Sequence, residues 1–296
     1  MHYKRTGLTL GLAALLLGPN PLAQANASDD QESRSPEIKT NFSVKQVEQA
    51  DIDGTGASMG YTEIAAGAEW QFLLIDLDHR SYDWQGHNFM GAAEPFSELT
   101  YLAPALQYYQ TIGKQWGIWA KGTALLGFKD KLATEAITYN PQVITSYSVT
   151  PSLDLYCGAG VLYHPADTTF YPVFGLAWNK DKKKGLHGIL AFPETALRYS
   201  LTEQLALKLD ILWENRIYQL AEDNTVAAEG YIKAENLLPG LHLEYKPLDE
   251  LLLSMGVRHY FQRQLTFFTQ DEEELGAYEP KTSWAYLFKA EYSFSP

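Results

Sequence analysis

The last stretch of the chain, Lys281 to Pro296, restricts the fold more than any other, because residue types alternate there almost without a break. Even positions read Thr282, Trp284, Tyr286, Phe288, Ala290, Tyr292 and Phe294, whereas odd positions read Lys281, Ser283, Ala285, Leu287, Lys289, Glu291 and Ser293. Successive side chains of a strand point to opposite faces, so this segment is a strand with one aromatic face and one largely polar face.

The same code recurs upstream. Trp116, Ile118, Ala120, Ala124, Leu126 and Phe128 share one face, with Lys121 and Thr123 on the other. Val149 to Tyr163, Phe170 to Trp178, Leu205 to Arg216 and Leu251 to Gln264 repeat it. The apolar faces are free of charge over most of each strand, while the opposite faces carry both signs. A charge facing lipid near the midplane costs about 2–4 kcal/mol, whereas one facing a polar lumen can pair. This predicts an all-β, transmembrane, antiparallel up-and-down β-barrel. Aromatics near strand ends, such as Tyr163, Trp178, Tyr199, Trp213 and Tyr245, fit interfacial girdles. An aromatic near the end of an amphipathic last strand also resembles the signal by which the barrel-assembly machinery of the bacterial outer membrane recognises its clients. The Ser295-Pro296 tail departs from that pattern.

The start of the chain agrees with export. Lys4 and Arg5 precede an apolar run from Gly7 to Gly18 and small residues at Ala23, Ala25 and Ala27. A charged start, about a dozen apolar residues and an Ala-x-Ala site make a secretory signal peptide, since a membrane anchor needs roughly 20 apolar residues. The expected organisation is a signal peptide over 1–27, a flexible periplasmic lead-in over 28–40, and a barrel over 41–296. Cleavage removes two cations and no acid, moving the net charge from -13 to -15. That balance argues against nucleic acid as a partner. The single cysteine, Cys157, excludes an internal disulfide and reads as a small apolar residue on an outward face.

Short connections at Ile112 to Gln115, Pro165 to Thr168, Leu201 to Glu203 and Pro247 to Asp249 alternate with longer polar ones at Lys129 to Tyr147, Asn179 to His187, Ala221 to Ala228 and Thr269 to Pro280. Outer-membrane barrels have short periplasmic turns and longer outside loops. With both termini in the periplasm, ten strands can be named and a hairpin over Asn41 to Ala66 brings the count to 12, with 10 as the alternative.

Between Ile189 and Arg263 the chain reads Phe192-Pro193, Arg198-Tyr199, Leu205-Ala206-Leu207-Lys208-Leu209, Arg216-Ile217-Tyr218-Gln219-Leu220, Leu241-His242-Leu243-Glu244-Tyr245 and Gly256-Val257-Arg258. In these strand and turn patterns it resembles an uncharacterised family of bacterial outer-membrane β-barrels. The resemblance implies a barrel and supplies no catalytic or ligand residues.

The inward charges are the candidate functional residues. Lys208, Asp210, Glu214 and Arg216 share one strand, Glu194 and Arg198 the strand before it, and Arg258, Lys289 and Glu291 lie near the closing end. Such residues set the selectivity of a narrow pore or, alternatively, plug it with a salt-bridge network. Lys180, Lys182, Lys183 and Lys184 are candidates for contact with lipopolysaccharide phosphates, and Asp271 to Glu274 for bridging divalent ions in that layer. Asp51-Ile-Asp53-Gly54 lacks the full spacing of a calcium loop, and the cluster Asp76, Asp78, His79 and Arg80 has the donors to hold a metal, although the same residues suit the end of a long strand rising beyond the lipid. Histidines at 79, 87, 164, 187, 242 and 259 show no spacing that resembles a Ser-His-acid constellation, so a lipid hydrolase is the weaker alternative. No cofactor is expected. The reading is a passive pore or small-solute transporter of the outer membrane, with a structural barrel of closed lumen as the alternative.

Overall fold

The computed structural model describes residues 37–86, 89–91, 94–132, 134–179 and 184–294. The expected signal peptide and most of the lead-in lie outside the described residues. Among the described residues sixteen strands follow one another: β1 (Ile38–Asp51), β2 (Ala57–Trp70), β3 (Leu73–Gly86), β4 (Glu98–Ile112), β5 (Trp116–Phe128), β6 (Ile137–Thr150), β7 (Leu153–His164), β8 (Asp167–Trp178), β9 (Gly185–Phe192), β10 (Thr195–Ser200), β11 (Leu205–Gln219), β12 (Tyr231–Leu248), β13 (Leu251–Tyr260), β14 (Gln262–Phe268), β15 (Glu274–Tyr278) and β16 (Ser283–Phe294). The first begins at Ile38, inside the stretch expected to be a lead-in.

Strands β1 to β13 pair each with the next, and β16 closes the ring between β13 and β1. Leu251 stands opposite Tyr292 and Ile38 opposite Phe294. The closed antiparallel ring therefore has 14 strands, with β14 and β15 outside it. This corrects the expected 12 or 10. Two features hid the extra strands. The stretch from Lys129 to Tyr147, expected as a loop, contains most of β6, whose inner face is polar at Thr138, Asn140, Gln142 and Ser146 with only Ile144 apolar among them, and whose outer face includes Pro141. The segment around Phe192-Pro193-Glu194, expected within one strand, is a tight hairpin with Thr195 opposite Leu190.

The missed strand also shifts which end each connection occupies. The connection from Trp178 to Gly185 lies at the end that carries both chain termini, and the short turn from His164 to Asp167 lies at the far end, the reverse of the expected assignment.

Outward side chains form an apolar belt that includes Ile64, Leu77, Phe170, Leu209, Leu243 and Phe288, each exposed. Their neighbours in sequence point inward and are buried or half-buried, as in Leu207-Lys208-Leu209-Asp210. Only a closed barrel or a helix satisfies every backbone group across a hydrocarbon layer, and this chain uses the first solution.

One part of the wall breaks the alternation. From Glu214 to Tyr218 every residue of β11 is buried, and so is every residue of β12 from Tyr231 to Ala234. Strands buried on both faces are not lining a lumen; here the upper halves of β11 and β12 lean inside the ring. Their inward course ends against β5, where Gln219 pairs with Phe128 and accepts the Lys129 N–H at 3.1 Å. Gly127 permits the contact, since a Cβ there would lie 2.0 Å from the Ile217 carbonyl oxygen. The β14–β15 hairpin extends this insert, β14 pairing with β12 from Tyr231 to Leu237. It carries Phe267 onto Phe89 and Phe96, with ring centroids 5.6 and 6.4 Å away, and an aromatic cap closes the far end.

Candidate functional site

The residues that meet across the ring come from β1, β2, β3 and β11. Lys45 on β1 pairs with Glu63 on β2 at 2.9 Å, and Glu63 accepts Arg80 Nε of β3 at 2.8 Å. Arg80 Nη2 reaches Glu214 of β11 at 2.5 Å, and Arg216 Nη1 returns to Asp78 of β3 at 2.5 Å. Asn236 of β12 donates to the second oxygen of Glu214 at 2.8 Å. Three cations (Lys45, Arg80, Arg216) meet three carboxylates (Glu63, Asp78, Glu214), so the cluster is neutral as a whole. All six side chains are buried.

Tyrosines shield the cluster. The guanidinium of Arg80 lies 5.1 Å from the Tyr61 ring centre and that of Arg216 4.7 Å from Tyr101. The Tyr61 and Tyr260 hydroxyls meet at 2.5 Å. A cation over an aromatic face gains from the ring quadrupole, most when water is excluded.

A second layer lies nearer the termini. Asp210 accepts Arg258 at 3.0 Å, His242 at 3.3 Å and Lys208 at 3.4 Å. Arg198 holds Glu244 at 2.5 Å, and Lys289 pairs with Glu291 two residues along β16. Here Lys208, Arg198, Lys289 and Glu291 stay partly exposed, unlike the residues of the upper cluster.

The structure thus divides the sequence-derived candidates. Glu214 and Arg216 belong to the upper cluster. Lys208, Asp210 and Arg258 meet around one carboxylate, whereas Arg198 pairs with Glu244 and Lys289 with Glu291, each apart from that group. Glu194 is half-buried on the turn between β9 and β10, off the strand expected to carry it. Lys180, Lys182 and Lys183 lie outside the described residues, and Lys184 is exposed at the end that carries the termini. Asp51 and Asp53 face Lys281 at 3.1 and 3.9 Å, an ordinary charged loop.

The sequence reading missed Lys45, Glu63, Asp78 and Arg80. The signal was present, because Ile75 and Leu77 are exposed on the outer face and Asp76, Asp78 and Arg80 alternate with them. Clustered charge at 76–80 read as the strand leaving the membrane. In fact these residues lie opposite Leu99 to Ala103 of β4, well inside the ladder.

No family model and no curated protein matches this sequence, in keeping with the resemblance to an uncharacterised barrel family. Solved structures similar to it include a NanC porin (8% identity, TM-score 0.38, covering 87% of this chain and 99% of that one). The toluene transporter TodX of Pseudomonas putida is another (10%, 0.38, 96% and 95%). A third is an outer membrane channel from Pseudomonas putida F1 (10%, 0.41, 90% and 98%). At these scores the likeness carries no argument; the barrel architecture rests on the strand ladder itself.

Proposed function

We propose that this chain is a bacterial outer-membrane β-barrel that acts as a passive pore or small-solute transporter, held closed here by the inward halves of β11 and β12. The supporting observation is the chemistry of the stopper. Buried ion pairs are weaker stabilisers than well-packed apolar residues of the same volume, so a permanent plug gains nothing from being charged. A charged stopper can be rehydrated when the insert moves, and its side chains then line a wet path. The partly exposed second layer around Lys208, Arg198 and Lys289 offers a polar approach from the end with the termini.

One observation favours the structural alternative. Every charge of the upper cluster has a partner of opposite sign, which suits a barrel whose lumen never opens. Conductance of purified protein in planar bilayers separates the readings. A gated pore gives brief openings that lengthen when the Arg80–Glu214 pair is removed; a structural barrel is silent in both forms. We read the chain as non-enzymatic, with turnover of lipid substrates by the same preparation as the outcome that opposes this. Membrane lipid on the apolar belt and the barrel-assembly machinery on β16 are the partners this reading implies. Contact of Lys184 with lipopolysaccharide is not part of it, because Lys184 is exposed at the end that carries the termini.

A further inference from the structure

The mouth of the barrel away from the chain termini holds a cavity of about 860 Å³, within the ~300–1,000 Å³ of small-molecule sites. Three connections supply its charge. Asp130 and Glu135 come from the segment between β5 and β6, Glu222, Asp223 and Glu229 from the one between β11 and β12, and Asp271 and Glu272 from the turn between β14 and β15. Among the described residues Lys131 is the only cation in the lining, so seven carboxylates against one ammonium leave a local charge of -6. Lys131 is already committed to Glu222 at 3.0 Å, and Lys129, outside the lining, approaches Asp130 at 4.0 Å. Glu135, Asp223, Glu229, Asp271 and Glu272 make no ion pair among the described residues.

A second feature of the lining is not a carboxylate. Tyr231, at the start of β12, lines the cavity while only 4% exposed, and its hydroxyl has no hydrogen-bond partner among the described residues. Its ring stands edge-on to His164, with centroids 4.9 Å apart. His164 accepts the Ala166 N–H on Nδ1 and donates from Nε2 to the Glu135 carbonyl oxygen, each at 3.1 Å, so one imidazole fixes both the tyrosine and the segment that carries Glu135. Leu220 and Ala221 are buried and give the lining an apolar strip. Among the described residues no three of the carboxylates come close enough to share a metal ion. A cleft lined by one sign of charge concentrates counter-ions, and charges spread around its wall suit a ligand whose own charges are spread.

We propose that this cavity binds an elongated organic polycation, a polyamine whose ammonium groups stand several bonds apart. The ammonium groups donate to the unpaired carboxylates and to the Tyr231 hydroxyl oxygen, while the methylenes between them lie on Leu220 and Ala221. A hydrated divalent ion engages the carboxylates alone, and a monoamine engages one or two acceptors of the set. Anions are repelled by the wall. The site goes beyond the pore reading and does not depend on conduction.

The test is titration calorimetry of the full barrel in a neutral maltoside detergent at constant ionic strength, with spermidine as the probe and magnesium and n-butylamine beside it. The expected result is one saturable spermidine site, bound roughly tenfold or more tightly than either comparison cation, since each further ammonium adds charge-assisted hydrogen bonds. Asp223→Asn with Glu229→Gln weakens spermidine about tenfold, and Tyr231→Phe by a similar factor, because hydrogen bonds to a charged donor are lost. The Tyr231 hydroxyl has no partner in the free protein, so Tyr231→Phe keeps the unfolding midpoint of the wild type. Asp51→Asn with Asp53→Asn removes the same charge at the same end of the barrel but outside the cavity, and leaves spermidine binding unchanged. Heats that never saturate overturn the proposal, and so does magnesium binding of equal strength. Equal weakening by the Asp51 and Asp53 pair reduces the effect to general surface charge and overturns it as well. Should the paired cavity variant fail to fold, an unaltered affinity in Tyr231→Phe overturns the site by itself. Saturable binding to a silent barrel keeps this site and removes the pore; a conducting barrel that binds no spermidine does the reverse.

Discussion

Arg80 of β3 donates to Glu214 of β11 at 2.5 Å although six pairing steps separate their strands the shorter way round the 14-strand ring. Strands about 4.8 Å apart and tilted about 40° would hold opposite walls of such a ring roughly 28 Å apart, more than an arginine and a glutamate can bridge. The pair exists because β11 has come inward. Closure of this lumen is therefore a property of strand path as well as of side chains.

Arg80 keeps Glu63 and Arg216 keeps Asp78 when Glu214 is neutralised, but the buried cluster is then left with one uncompensated positive charge in a dry interior. Glu214→Gln is expected to lower unfolding stability by about 3–5 kcal/mol, while a joint Arg80→Met and Glu214→Leu replacement costs much less. Urea unfolding from bilayers, followed by tryptophan emission, reads both. Equal loss in the single and the joint variant contradicts a buried, paired Glu214.

Gly127 is the hinge-side test of the insert. A Cβ would meet the Ile217 carbonyl oxygen at 2.0 Å, so Gly127→Ala pushes β11 off β5 and destabilises the barrel by about 1–3 kcal/mol. Gly122 on the same strand meets nothing within 4 Å, and Gly122→Ala is expected to be neutral. The same unfolding assay decides; matched effects at the two positions place β11 elsewhere.

Most of the barrel was legible because each wall strand alternates residue by residue, as Leu207-Lys208-Leu209-Asp210 does, and that code needs no knowledge of neighbours. The count failed where the code was masked: Pro141 and a run of polar inward residues in β6 imitate a loop, and the turn at Pro193 is too short to interrupt a strand by composition. Glu214 and Arg216 were legible as inward charges. Their partners Asp78 and Arg80 were not, since nothing local in the sequence says that β11 crosses to β3. A strand that keeps its parity while both its faces become buried looks in sequence like any other, apart from Asn215, Lys233 and Glu235 on the face that should meet lipid.

The orientation of the last strand is open to a paired substitution. Phe288 is exposed on the outer face of β16 and Lys289 pairs with Glu291 on the inner one. Phe288→Arg should cost about 2–4 kcal/mol in bilayers, less near an interface, and Lys289→Gln little by comparison. Similar tolerance of the two reverses the face.

Cys157 reports on β7 without any substitution. Its side chain is exposed on the outer surface, in register with Phe174 of β8. In membranes it should resist a charged, water-soluble maleimide and react after denaturation. Rapid labelling of the folded barrel contradicts the lipid-facing parity of β7.

The most direct test of the closed-pore account is single-channel recording of the wild type beside the Arg80→Ala, Glu214→Ala double variant, each shown to be folded in the same bilayer. The account predicts a wild type that is closed for most of the record with brief openings, and a double variant with longer ones, because the pair that joins β3 to β11 is gone. A wild type with steady conductance contradicts the closure, and silence in both folded proteins contradicts the pore.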